Sequence, residues 1–304
     1  MIGVLVMAYG GPNNLDEVEP YLMDVRGGRP TPPAIVHEVV ERYKLIGGRS
    51  PILERTQAQA AALEAALNRD GPVFRAFVGM RHWRPRIPEA LEQMQAAGIE
   101  RAVGLVMAPH YSRMSVGAYY QKLDEAQSSV QVARIERWHL LPGYLDALAA
   151  HVQAALMKFP SEVRAEVPLI FSAHSLPRRI LEWNDPYPDE LRATVAAVTD
   201  RLGPHPHEFA FQSAAISNEP WLGPDAGQVI QRLAGEGHRR ILIAPIGFLC
   251  EHVEILYDVD IVFKQQAEAL GVELERIEML NTAPSMIAGL AELVQSAAME
   301  KGWL

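Results

Sequence analysis

Two short stretches of the chain carry side chains suited to binding a metal ion or moving a proton. In Phe171-Ser172-Ala173-His174-Ser175-Leu176-Pro177 an apolar run delivers a histidine to its own end, just ahead of a proline that helps stop an extended segment. Imidazole titrates near neutrality and ligates transition metals, so His174 in such a place is equipped to act as base or ligand. A histidine that only satisfies a neighbouring backbone group is the competing reading. The second stretch, from Pro245 to Asp258, crowds Glu251, His252, Glu254 and Asp258 behind a glycine turn. On an α-helix Glu251, Glu254 and Asp258 would share one face, and like charges there need a counter-charge such as a metal ion or a proton. An acidic first turn favourably placed on the helix dipole explains the same residues without chemistry. The pattern is not that of the zinc-protease helix, which needs a second histidine one turn on.

A third group looks ready for anions: Tyr9-Gly10-Gly11-Pro12, Arg26-Gly27-Gly28-Arg29-Pro30, and Arg42-Tyr43-Lys44 running on to Arg49-Ser50-Pro51. Neither the dinucleotide fingerprint nor the P-loop spacing is present. Arg26, Arg42, Arg49 and Ser50 are instead suited to carboxylates, because the planar guanidinium fork matches a carboxylate with paired hydrogen bonds. Solvated surface arginines are the plain alternative for each. His82, His110 and Tyr119 follow further apolar runs and are expected only to line a cleft, since a hydrogen-bonded structural histidine explains His82 and His110 adequately.

These residues need a scaffold, and the chain alternates short apolar runs with amphipathic ones. Residues 2–8, 73–78, 102–108, 130–135, 169–172, 208–212, 241–246 and 272–277 read as buried strands. Residues 57–68, 87–97, 144–158, 188–202 and 226–236 carry the helical period and supply the crossovers that a parallel sheet requires. The expected class is α/β, doubly wound, with ligands beyond the carboxyl ends of the strands. Gly104-Leu105-Val106-Met107-Ala108-Pro109 echoes Ile241-Leu242-Ile243-Ala244-Pro245, so two similar halves are expected, 1–142 and 143–282, meeting at the turn signal Pro142-Gly143. A helical tail, 283–304, is expected to pack back on the first half.

Composition narrows the function. With 49% hydrophobic and 21% charged residues the chain has ordinary globular composition. Its formal charge of -9 disfavours a nucleic-acid partner, which would demand clustered cations. A single cysteine, Cys250, allows no internal disulfide and no cysteine-ligated zinc or iron–sulfur site from this chain alone. The apolar N-terminal run lacks a basic region before it and a cleavage site after it. No stretch reaches the roughly 18 apolar residues that span a bilayer, so a cytoplasmic location is expected, with peripheral membrane contact left open.

In order along the chain, Leu5-Val6-Met7-Ala8-Tyr9-Gly10-Gly11-Pro12, the stretch from Arg42 to Pro51, Ser172-Ala173-His174-Ser175-Leu176-Pro177, Asp185-Pro186-Tyr187-Pro188, Gln212-Ser213, Trp221-Leu222-Gly223-Pro224 and the stretch from Gly247 to Asp258 resemble the ferrochelatase family. The resemblance covers nearly the whole chain. It implies two Rossmann-like lobes, each a parallel sheet flanked by helices, with a porphyrin cleft between them as in other chelatases. It implies an enzyme that inserts Fe(II) into a porphyrin, with His174 and Glu254 as the catalytic and iron-binding pair. Tyr9, Arg26, Arg42, Tyr43, Ser50 and Tyr119 become porphyrin contacts: Arg26, Arg42 and Ser50 for propionates, and Tyr9 on the ring face opposite His174.

Within the family the chain is most similar to bacterial coproporphyrin III ferrochelatases, which share the Tyr9 setting and have short chains without an iron–sulfur tail. The implied product is Fe-coproporphyrin III. Protoporphyrin IX is the alternative substrate, and a cobalt or nickel sirohydrochlorin-type chelatase or a haem carrier are more distant ones. The resemblance further implies Fe(II) as a substrate with no tightly bound cofactor and no iron–sulfur cluster, porphyrin and iron as partners, and a monomer with room for another haem-pathway enzyme at the cleft mouth. Three departures from some relatives stand out: Gly27 replaces an arginine, Gly11 a threonine, and Val262 the last member of an acidic row that starts at Glu254.

Overall fold

The computed structural model describes residues 1–215 and 219–304. Each of the eight apolar runs becomes a strand: β1 (Ile2–Ala8), β2 (Phe74–Met80), β3 (Arg101–Val106), β4 (Gln131–Ile135), β5 (Leu169–His174), β6 (His207–Gln212), β7 (Arg240–Pro245) and β8 (Glu273–Arg276). They form two four-stranded parallel sheets, ordered β2-β1-β3-β4 and β6-β5-β7-β8, so both halves repeat one topology. Parallel strands are joined by crossovers that cover both sheet faces, which explains why β1 is buried at every residue and does not alternate.

The helices are α1 (Val18–Val25), α2 (Pro33–Leu45), α3 (Ile52–Leu67), α4 (Ile87–Ala96), α5 (Val116–Glu125), α6 (Pro142–Leu156), α7 (Tyr187–Leu202), α8 (Ala226–Gly235), α9 (Lys264–Ala269) and α10 (Pro284–Glu300). Directly before α9 lies a π-helix, Glu254–Phe263. The arginine- and glycine-rich stretch, which lies outside the expected helical runs, contains α2, started by Pro33 in a first turn whose N–H groups have no intrahelical partner. The Pro142-Gly143 step likewise opens a helix, α6.

In each sheet the first strand lies between the second and the third. The chain therefore leaves β1 toward one side and returns on the other, and it repeats this at β5. Backbone connections diverge at the carboxyl end of such a strand and leave a crevice there. Tyr9 directly follows β1 and His174 ends β5, so the two occupy equivalent positions in the two halves.

One hydrophobic cluster runs through both halves. It joins Val4 and Leu105 of the first sheet to Phe171 and Leu242 of the second by way of Leu148 on α6 and Leu290 on α10. Among the described residues no helix is long and apolar enough to cross a membrane. The α6–α10 contact depends on missing side chains, because a Cβ on Gly143 would lie 2.1 Å from the Ser285 carbonyl oxygen. Gly143→Ala is expected to lower the unfolding free energy by about 1–3 kcal/mol, the usual cost of overpacking. Urea unfolding followed by circular dichroism checks this.

Candidate active site

The two crevices open into one cleft of about 350 Å³, walled on one side by Tyr9, Tyr43, Ser50 and Tyr119 and on the other by His174, His252 and Glu254. His174 reaches it from the last residue of β5. Glu254 reaches it as the first residue of the π-helix. His174 Nε2 lies 3.3 Å from Glu254 Oε1, and both side chains are about a third exposed, at 31% and 30%.

His174 Nδ1 faces the carbonyl oxygen of Ser175. A carbonyl only accepts, so Nδ1 carries a proton, and any lone pair of the neutral ring sits on Nε2 beside Glu254. Burial works against a charged imidazole, but the Glu254 carboxylate, its hydrogen bond and the Ser175 carbonyl outweigh it and lift the His174 pKa to about 9. For Glu254, burial would raise the pKa, yet His174 and then His252 hold it below the ordinary value. Metal-free, the site is an ion pair. Since the folded pKa is raised from 6.5 to about 9, this proton's contribution to stability is complete below about pH 6.5 and is lost as pH climbs through 9.

Asp258 lies one turn beyond Glu254. Burial raises its carboxyl to about 6, with the Ser213 hydroxyl opposing the shift and Glu254 adding to it. Ser213 donates that hydrogen bond to Asp258 Oδ2 from a left-handed backbone, φ 59°. Such a conformation is costly for serine and persists where surrounding contacts enforce it.

The opposite wall is phenolic. Tyr9 is pushed up to about 12 by burial against the cleft, with Arg81 lowering it and Glu254 raising it. Burial followed by the pull of Glu254 also raises Tyr43, and burial raises Tyr119 against the pull of Arg81. These rings stay neutral at ordinary pH. All three line the same cleft as Glu254, and its charge reaches each of them. The Arg81 guanidinium stands 5.8 Å from the Tyr9 ring centroid and 5.5 Å from that of Tyr119.

Of the residues expected here, His174, Glu254, Tyr9, Tyr43, Ser50, Tyr119 and His110 line the cavity. Arg26 and Arg42 do not form its wall. Arg26 caps the end of α1, and Arg42 pairs with Glu38 on α2 while its guanidinium lies 5.2 Å from the Tyr257 ring centroid on the π-helix. In both arginines Nε is shielded from solvent and has no acceptor. His82 is also displaced from the wall. It stands behind Tyr9 with ring centroids 4.7 Å apart, bound to Asp24, because its backbone N–H is tied to the Tyr9 carbonyl.

The shared face of Glu251, Glu254 and Asp258 does not form. The helix begins only after His252, so Glu251 lies outside it and turns toward Arg55, 3.0 Å away. Gly11 has a packing reason: a Cβ there would lie 2.7 Å from both Cβ and Oγ of Ser50.

Several residues of these stretches take roles that their spacing does not show. His252 Nδ1 accepts the Glu254 backbone N–H at 3.1 Å, which leaves the proton of its neutral ring on Nε2. Gln212, paired with His174 in the sheet register, donates to the Glu254 carbonyl at 3.1 Å and accepts from Ser172 Oγ at 2.7 Å. The Tyr187 hydroxyl donates to the His174 carbonyl at 2.9 Å, and Trp221 and Phe248 flank the His174 ring. Spacing along one chain carries no signal for such contacts between separate loops.

The fold matches solved chelatase structures. SirB from Bacillus subtilis with Fe3+ aligns with a TM-score of 0.61 at 12% identity, covering 99% of this chain and 98% of that one. CbiX, titled the terminal enzyme for biosynthesis of siroheme in denitrifying bacteria, aligns with a TM-score of 0.54 at 18% identity over 97% and 99%. At such identities the likeness speaks for the fold alone.

The sequence model of the ferrochelatase family matches residues 1–298. A ferrochelatase from Herpetosiphon aurantiacus is 41% identical, covering 96% of this chain and 97% of its own. One from Deinococcus radiodurans is 42% identical over 98% and 96%, and a coproporphyrin III ferrochelatase from Geobacillus kaustophilus 39% over 99% and 97%. The chain belongs to the ferrochelatase family.

In metal-free protein the His174 imidazole is expected to titrate near pH 9, and Glu254→Gln to bring it back toward or beneath 6.5, since burial then goes unopposed by that carboxylate. Imidazole NMR titration of both proteins measures this. An unmoved midpoint in the variant would contradict the ion pair.

Proposed function

We propose that this ferrochelatase inserts Fe(II) into coproporphyrin III, that His174 and Glu254 carry out the exchange, and that Fe(II) enters as a substrate without a resident cofactor. The observation that carries the chemistry is the His174–Glu254 pair, 3.3 Å apart and open to a cleft whose far wall is neutral phenols. Metallation exchanges two pyrrole N–H protons for one Fe(II). The Nε2 lone pair of His174 suits either task, taking a pyrrole proton or holding Fe(II) as it sheds water.

Both tasks first require the shared proton to leave. Fe(II) drawn to the Glu254 carboxylate supplies the reason, because a dication beside His174 removes the attraction that kept the ring charged. Asp258, with its pKa near 6, is poised to accept a departing proton and release it outward. Tyr9 keeps its own proton and presents a neutral group to the other ring face.

The choice of coproporphyrin III is supported by the unpartnered Nε–H groups of Arg26 and Arg42, which stand outside the cavity wall and would have to turn toward a substrate, together with the Ser50 hydroxyl in that wall. A shielded donor without an acceptor costs roughly 1–3 kcal/mol, which a substrate carboxylate would recover. A tetracarboxylate uses more such donors than a dicarboxylate. The substrate in the Geobacillus kaustophilus relative's name agrees with this reading.

His174→Ala is expected to lose iron insertion by at least about 100-fold while porphyrin fluorescence quenching still reports binding; turnover like the wild type would remove the residue from the mechanism. Arg42→Ala should weaken coproporphyrin III binding more than it lowers kcat. Steady-state comparison should give the higher kcat/KM with coproporphyrin III, and a preference for protoporphyrin IX would overturn the substrate assignment.

A further inference from the structure

Glu251, which leaves the acidic face expected of it, belongs to a cluster of polar contacts between the halves. On α3, Arg55 and Gln59 stand one turn apart and reach the same part of the second half. Arg55 Nε forms an ion pair with Glu251 Oε2 at 3.0 Å. Gln59 Nε2 donates to the Asn281 carbonyl at 2.9 Å. Asn281 Nδ2 in turn donates to Glu251 Oε1 at 3.2 Å, and the Asn281 backbone N–H to the Leu249 carbonyl at 2.7 Å. Asn281 has a left-handed backbone, φ 46°, a conformation that asparagine tolerates better than most residues.

All four contacts converge on Leu249-Cys250-Glu251, either directly or through Asn281. The next residues are His252, which holds the Glu254 backbone N–H, and Glu254 itself. At the same end of α3, one turn before Arg55, the helix meets the first wall, where Ser50 immediately precedes the cap residue Pro51 and its backbone N–H donates to the Pro12 carbonyl at 2.8 Å. Helix α3 is thus fastened to the loop that bears Tyr9 and to the segment that bears Glu254. The pair is half-buried: the Arg55 side chain is 44% exposed, whereas that of Glu251 is only 17% exposed. Removing one partner would leave a largely buried carboxylate to find a new position.

We propose that Arg55, Gln59, Glu251 and Asn281 form a spacer between the halves that sets the gap separating Tyr9 from the His174–Glu254 pair, making them positioning residues for metal insertion. The inference rests on that pair being the metallating one. A macrocycle gripped between two walls is bent by them to a degree set by their separation, and a displacement of roughly 1 Å in a reacting group costs on the order of 100-fold in rate. Gln59 also lines the cleft, but Arg55, Glu251 and Asn281 act through the segment they hold, and none of the spacer's charges is required to touch iron.

The test is a charge exchange in the full-length enzyme, assayed at saturating Fe(II) and porphyrin. Arg55→Glu and Glu251→Arg are each expected to lower kcat by roughly 10- to 100-fold. The double exchange should recover most of that loss. Resonance Raman out-of-plane bands of bound free-base porphyrin should weaken in the single variants and return in the double one.

Asn281→Gly, which keeps the left-handed backbone but deletes the amide, is a second route and should lower kcat in protein with wild-type circular dichroism. His174→Ala in the same assay separates the two readings. Turnover by His174→Ala removes the premise, whatever the spacer variants do. An inactive His174→Ala beside folded Arg55→Glu and Asn281→Gly enzymes with wild-type kcat and Raman bands overturns the spacer alone.

Discussion

The site depends on one ion pair whose members come from different elements and share a partly desolvated cleft. Each charge alone would be expelled by its surroundings, since burial lowers the His174 pKa and raises that of Glu254. Together they reverse both tendencies and leave one proton held at Nε2. The Ser175 carbonyl fixes the other ring nitrogen, Tyr187 and Gln212 fix the backbones on either side, and the pair is therefore preorganised before any substrate arrives. In the reading proposed for this enzyme, the metal-free resting state is protonated, and the incoming cation must displace that proton.

The π-helix serves the same arrangement. Its wider turns are rare and tend to appear at functional sites. Here it starts at Glu254 and carries Asp258 on the following turn, so two carboxyls with pKa values displaced in opposite directions follow one another outward from the cleft. The strained Ser213 backbone and its hydrogen bond to Asp258 steady the second of them. Facing these charges stands a wall of phenols that burial keeps neutral. In the proposed reading, a neutral wall leaves Glu254 as the anion that a cation in the cleft meets first.

Much of the scaffold was legible in the residues. Eight apolar runs became eight strands, because residues covered on both faces of a parallel sheet must be apolar throughout. His174 was legible as a strand-end residue, and the repeated topology explains why Tyr9 stands at the matching point of the other half. Helix α2 was hidden by the glycines and prolines around it, since Pro33 begins a helix as readily as it breaks one. Glu251 was misread because side-chain spacing assigns a face only where the helix actually runs, and this helix starts three residues later.

The sequence by itself determined the α/β class and the family and singled out His174 and Glu254 as candidates, all of which follow from local patterns and ordered short segments. Only the tertiary structure decided that His174 and Glu254 meet at 3.3 Å and that the metal-free histidine is protonated. It also decided that Arg26 and Arg42 lie outside the cavity wall and that His82 buttresses Tyr9. The physical reason is common to all of these. A pKa and a contact depend on the separation and burial of groups far apart in the chain, and those quantities exist only once both sheets are assembled around a shared core.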